Sequence, residues 1–285
     1  MAVIAGLAIV LGAIALGFTM AGGRIGSLLH LSEFITIGGA AFGALIIMSP
    51  KKVIMDVIRS TLQVVKGTPY HKATCVETCE LLADLARVMR RDGILALDSH
   101  IASPHESTLF QKYPRVHGNH HAIDFLCTGL TMIVDGKAQA DQLTAALEEE
   151  VKVIEREHHA AVGVLQKTAD ALPGFGIVAA VLGIVVTMGA IEGPASEIGH
   201  KVGTALVGTF LGILLSYGFF GPLSARMELL GEAEMNYFRS ISMAIVALSE
   251  GGSPTEVVIR ARRAIGTDCR PSPEEMARIL KGAAA

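Results

Sequence analysis

PGFGIVAAVLGIVVTMGAI, residues 173–191, and VGTALVGTFLGILLSYGFFGP, residues 202–222, decide how this chain folds. No Asp, Glu, Lys or Arg lies between Asp170 and Glu192, or between Lys201 and Arg226. Each segment can cross a hydrocarbon core, which takes about 20 residues. Each also carries Gly, Ala, Thr and Ser along one side, the composition that lets membrane helices approach closely. A working surface of helix against helix follows.

Working outward, two more charge-free runs occupy Ala2–Gly23 and Phe34–Pro50. The second is short for a span, and snorkelling or local thinning covers the deficit. The first lacks the basic start of a signal peptide, so it is expected to remain as a helix. The sequence thus predicts an all-α integral membrane protein with four spans, at about residues 2–22, 34–50, 172–191 and 202–222. A mean hydropathy of +0.49 with 18% charged residues suits this uneven layout better than an ordinary soluble domain. The charge collects in residues 51–170, a helical insert, and in residues 224–285, a tail. Lys51, Lys52 and Arg226 flank the spans on the side of these blocks. The positive-inside rule then places both blocks and both termini in the cytoplasm. Without a basic tract, nucleic acid is excluded as a partner. Cys75, Cys79, Cys127 and Cys269 are expected to be reduced structural thiols, since no pair has a zinc-knuckle or CxxC spacing.

Within the insert, Val53, Ile54, Val57, Ile58, Leu62 and Val65 recur at helical spacing. Gly67-Thr68-Pro69 interrupts the chain, and a long helix is expected from about His71 to Asp98. A connection follows from Ser103 to Pro114, then a helix from His120 to Val134 turned by Asp135-Gly136. From Ala140 the helical pattern continues toward Pro173. In the tail, Ser253-Pro-Thr-Glu256 and Ser272-Pro-Glu-Glu275 each set a capping Ser three residues before a Glu, with Pro at the first helical position.

The four spans as delimited hold no Asp, Glu, Lys, Arg or His. An intramembrane ion relay needs such a group. The chain therefore either conducts nothing or walls a path whose carboxylate belongs to another subunit. Gly176, Ala180, Gly183 and Thr187 step along one face of the third span. Ala205, Thr209, Gly212 and Ser216 do so in the fourth, with Tyr217 beside them. Close packing is the ordinary use of such stripes. Lining an ion path is the other, and the Thr209 hydroxyl can hydrogen-bond a proton carrier or orient water.

ALPGFGIVAAV from Ala171, VGTFLGILLSYGF from Val207 and the trailing Pro222, with RRDGILALDSHI from Arg90 and the ESTLFQKYP stretch, resemble the MotA family of flagellar-stator membrane subunits. The likeness covers essentially the whole chain. The span motifs alone also admit the relatives ExbB and TolQ, which energise outer-membrane work, while the long insert is specific to the flagellar branch. The resemblance implies a ring of about five copies around a dimer of MotB, whose aspartate carries the ion, and a push on the rotor protein FliG. It implies a proton path lined by Thr209, Ala180, Gly176, Gly212 and Tyr217, with Pro173 and Pro222 as the coupling hinge. Arg90, Arg91 and Asp98 become the rotor contact. Sodium-driven relatives carry Thr where this chain has Ala180, so protons are expected rather than sodium. Such a protein is not an enzyme and needs no cofactor or metal; the His117, His120, His121 and Asp124 group has no supporting zinc pattern.

Overall fold

A computed structural model describes residues 2–136, 139–189 and 191–281. Among them the chain is helical, with no strand. The helices are α1 (Ala2–Met20), α2 (Leu31–Met48), α3 (Lys51–Lys66), α4 (Lys72–Asp92), α5 (Asp98–Ala102), α6 (Thr108–Gln111), α7 (Pro114–His117), α8 (His120–Val134), α9 (Ala140–Met188), α10 (Ala195–Ile213), α11 (Gly221–Ser249), α12 (Pro254–Ala264) and α13 (Pro273–Lys281). Short 3₁₀ turns occupy Ile25–Leu28 and Ile94–Leu97, and a π-helical stretch, Leu214–Phe220, joins α10 to α11. Four segments are long and apolar enough to cross a membrane: Val3–Met20, Ile25–Met48, Ala140–Met188 and Ala195–Ser249. Ala190, inside the expected third span, lies outside the described residues.

The chain divides into two compact units. The first, residues 1–67 and 157–229, holds the apolar helices. Ile37 and Ala41 of α2 pack on Leu172 and Ala179 of α9 and Leu211 of α10, with Phe175 and Leu215 against them. Most of the large apolar side chains of α1 and of the Ile177–Met188 stretch face outward, as lipid contact requires. Near Pro173 and Pro222 the unit is tied by polar links: Ser224 Oγ donates to Val162 O at 3.2 Å, and Lys52 pairs with Glu157.

The second unit, residues 68–156 and 230–285, surrounds one apolar core built from α4, α8, the later part of α11 and the tail helices. Tyr70, Phe125, Tyr237 and Phe238 meet at ring separations of 5.0–6.3 Å. Their hydroxyls are satisfied, Tyr70 by Glu234 at 2.6 Å and Tyr237 by Thr78 at 2.9 Å. Glu77, only 6% exposed, accepts from the Arg115 N–H at 2.6 Å and pairs with the Arg115 guanidinium at 3.0 Å, which offsets its desolvation. Both tail caps form: Ser253 Oγ accepts from Glu256 N and Ser272 Oγ from Glu275 N, each at 3.2 Å. Glu275 returns the bond by accepting from Ser272 N at 2.6 Å.

All four cysteines are free, and Cys75, Cys79 and Cys127 are buried. Burial pushes the Cys75 and Cys79 thiols up to about 12 and Cys127 up to about 11, so none presents a reactive thiolate.

The expected His71–Asp98 helix is shorter. It stops at Asp92, because Gly93 takes φ +87°, a left-handed geometry open to glycine, and a 3₁₀ turn follows.

Candidate functional site

α9 and α10 pack antiparallel through their small residues. A Cβ built on Gly183 would lie 2.6 Å from Ala205 Cβ, and one on Gly176 would lie 2.9 Å from Gly208 O and 3.3 Å from Thr209 Cα. At Gly212 a Cβ would meet Leu172 O at 2.6 Å and Gly176 Cα at 2.9 Å. Gly176, Ala180 and Gly212 are therefore buried in this seam, where any larger side chain would force the backbones apart. The packing use of the stripe, one of the two readings its spacing allowed, is visible within a single chain.

Thr209 is half-buried beside that seam. The hydroxyls of Thr168, Thr187 and Thr204 each donate to the carbonyl four residues back. Among the described residues Thr209 makes no such bond, which leaves its hydroxyl available to a passing ligand. Tyr217 is 72% exposed, in the π-helical stretch and away from the seam.

Pro222 follows that stretch directly. It has no N–H to return to Gly218 O, and just ahead of it Gly221 N donates to Ser216 O, a π-type bond. Pro173 lies within α9 and deprives Ala169 O of its helical donor in the same way. Both prolines thus mark places where the helical ladder of a long helix is locally weakened.

Glu33 lies just outside the expected second span, 34–50, but inside the helix that carries it. α2 begins at Leu31, so Glu33 sits in its first turn, favoured there by the helix dipole. It is 7% exposed, and its Oε2 has no hydrogen-bond partner among the described residues. A Cβ on Gly208 would stand 2.7 Å from that oxygen, 3.0 Å from Ala179 Cβ and 3.3 Å from Ala180 N. The carboxylate therefore lies between α2, α9 and α10, level with Ala180 and next to Gly208-Thr209. The expected span, delimited by its lack of charge, begins at the residue after Glu33, Phe34. His200 and Lys201 likewise fall inside α10, although Lys201 pairs with Glu197 at 3.0 Å.

His30 caps α2, and its ring stands edge-on to His200 with centroids 6.4 Å apart. Both rings line a pocket of about 500 Å³ whose wall continues along α10 through Thr204 and Val207 to Phe210.

In the second unit, Arg90 closes α4 and Asp98 opens α5, both exposed. The expected helix through Asp98 therefore does not carry both, since Gly93 and the 3₁₀ turn intervene. Arg91 instead forms two bonds to Asp92, at 2.9 and 2.7 Å. Leu97 is buried and fixes the turn, while Leu95 projects between the charges at 76% exposure. The rings of His117 and His120 stand edge-on to His105, and no group of metal-ligating side chains occurs among the described residues.

Residues 4–93 match the family described as Motility protein A N-terminal, and residues 118–240 the MotA/TolQ/ExbB proton channel family. The chain is 37% identical to the chemotaxis protein LafT of Vibrio parahaemolyticus, over 93% of each sequence. It is 32% identical to motility protein A of Escherichia coli, over 99% of this chain and 96% of that one. A solved C. jejuni MotAB structure has the same fold, with a TM-score of 0.76 at 23% identity over 95% of this chain and 97% of that one. Four apolar helices and relatives matching nearly end to end lead to one conclusion: the chain belongs to the motility protein A family, within the MotA/TolQ/ExbB proton channel family.

Proposed function

We propose that this chain walls a proton path in the bacterial inner membrane together with a MotB-type partner, and turns proton flow into torque on the rotor protein FliG. It is a conductor and force-generating subunit, not an enzyme. The observation that carries the reading is the unbonded, half-buried Thr209 hydroxyl beside a seam otherwise built of glycine and alanine. Such a seam holds two helices rigidly while leaving the Thr209 hydroxyl unbonded beside it. The partner's aspartate, the ion carrier, sits against Thr209 in this arrangement, in a ring of about five copies around a partner dimer. One charge crossing gains about 2.3 kcal/mol per 100 mV, which is the energy available to each step. Ala180 offers no oxygen to a hard cation that must shed water, so the ion is a proton and not sodium.

Neutralising the partner's acid removes a buried charge. The response belongs to the segments around Pro173 and Pro222, whose missing donors make them the easiest parts of α9 and α11 to bend. Both termini and the second unit lie in the cytoplasm, where Arg90 and Asp98 flank the exposed Leu95 and offer a mixed apolar and charged contact to FliG. Match of residues 4–93 to the motility-specific N-terminal family favours this reading over an ExbB- or TolQ-like ring energising outer-membrane work.

Swimming and flux test it together. Motility restored by this chain in a stator-deficient strain should stop with a protonophore and persist without sodium. Vesicles containing the chain with its partner should take up protons, and Thr209→Val should lower that uptake about tenfold. Sodium-dependent swimming, or uptake that Thr209→Val leaves unaltered, would refute the path.

A further inference from the structure

Glu33 is a buried acid whose Oε2 has no hydrogen-bond partner among the described residues, in a part of the chain where an unpaired charge is costly. The nearest atoms to a Cβ built on Gly208 of α10 are this Oε2, the Cβ of Ala179 and the backbone N of Ala180 in α9, so no basic side chain enters that contact. Gly208 is also what makes room for it, since a Cβ there would stand only 2.7 Å from the oxygen. A structural carboxylate would be expected to have a donor, because burial without one costs more than the whole net gain of an ordinary hydrogen bond. Its position supplies a different use.

The Glu33 N–H bonds to the carbonyl of His30 at 3.2 Å, and His30 lines the pocket of about 500 Å³ that also takes in His200, Thr204 and Val207. The residue after Val207 is Gly208, against which the carboxylate lies, and the one after that is Thr209. A side chain that can hold or release a proton thus stands at the level of Ala180 and Thr209, one residue along α10 from the lining of the histidine pocket. The titratable groups on the adjoining wall are His30 and His200.

We propose that Glu33 is a proton-carrying residue of this chain's own, loading from the His30–His200 pocket and unloading at the level of Thr209. In the first step Oε2 takes a proton from a hydronium ion in the pocket, leaving water and a neutral carboxyl. In the second the carboxyl gives that proton to a water or to the partner's carboxylate beside Thr209, and the anion is regenerated. The inference rests on the proton path proposed above.

The test uses the complex of this chain with its MotB-type partner in vesicles, reading proton uptake under an imposed potential in the parent, Glu33→Gln and Glu33→Asp. Gln preserves shape and hydrogen bonding but cannot carry a proton; uptake should fall about a hundredfold or more, and Asp should restore part of it. A conducting parent with Gln within about twofold overturns the role of Glu33 and leaves the path through Thr209 standing. A parent that takes up no protons sinks both. Should Gln prevent assembly, infrared spectra of the parent complex with ¹³C-carboxyl-labelled glutamate decide instead. A labelled protonated-carboxyl band that appears at neutral pH when a proton gradient is imposed and vanishes when it collapses supports the proposal, and its absence there overturns it, since exposed glutamates are ionised at that pH.

Discussion

Gly212 is the residue whose side chain is least negotiable. The atoms a methyl group would meet there belong to the backbone of α9, Leu172 O and Gly176 N and Cα, at 2.6–3.1 Å. Backbone cannot rotate away as a side chain can, so Gly212→Ala must push α10 off α9. The expected loss is about 1–3 kcal/mol, the usual cost of overpacking. Gly163, also helical, has nothing within 4 Å of a built Cβ, and Ala there should be neutral or stabilising by about 0.5–1 kcal/mol. Thermal unfolding of the two variants in detergent would show a lowered midpoint for the first only; equal midpoints would contradict the seam. At this scale the sequence was legible in part. Helical spacing put Gly176, Ala180, Thr209 and Gly212 on common faces, because spacing is local. It could not say which face meets which, and so it missed Gly208, whose smallness matters only because Glu33 comes from a helix some 175 residues away.

Among the elements, α13 is the clearest product of local chemistry. Pro273 opens it, Ser272 and Glu275 cap each other, and Lys72 of α4 reaches the Glu275 carboxylate at 3.1 Å. The backbone N–H of Ser272, with the Lys72 ammonium second, holds the Glu275 carboxyl below the usual carboxylate range. A carboxyl depressed in the folded state stabilises fully above its unfolded value, about 4.3, and that contribution fades as pH falls through the folded value. Hydrogen exchange in α13, corrected for intrinsic rates, should therefore rise below about pH 4 before the rest of its unit loosens. Ser272→Ala should bring the same loosening at neutral pH, at a cost of about 1 kcal/mol. Protection that ignores both changes would show that the cap contributes nothing. Helix starts of this kind were readable in advance, since a cap is written within four consecutive residues. The end of α4 was less so: Gly93 and the Leu97 anchor compete with a helical pattern that runs on through Asp98, and burial of Leu97 decides the contest.

For the molecule as a whole, the two units carry separable tasks in the proposed stator. Arg90 and Asp98 stand exposed on the second unit, with Leu95 between them. Charge reversal at both should leave proton uptake and membrane assembly unchanged while swimming speed falls several-fold, an effect that shrinks when the rotor partner's complementary charges are removed. An exposed charged contact of this type is screened by salt and contributes about 1 kcal/mol or less per pair, which suits a contact made and broken repeatedly. Loss of uptake in the double variant would instead tie these residues to the path.

What the sequence by itself determined is whatever hydropathy and nearest neighbours control: four apolar segments, an all-helical chain, the breaks at Gly67 and Gly136, and two capped tail helices. Removing about 20 apolar residues from water outweighs any local preference, so that signal survives without coordinates. Tertiary structure alone decided that the glycine stripes close on each other, that Glu77 finds Arg115, and that Glu33 is sealed between three helices. Burial depends on residues far apart in the chain, and a carboxylate at the edge of an apolar run is free or buried according to what packs against it.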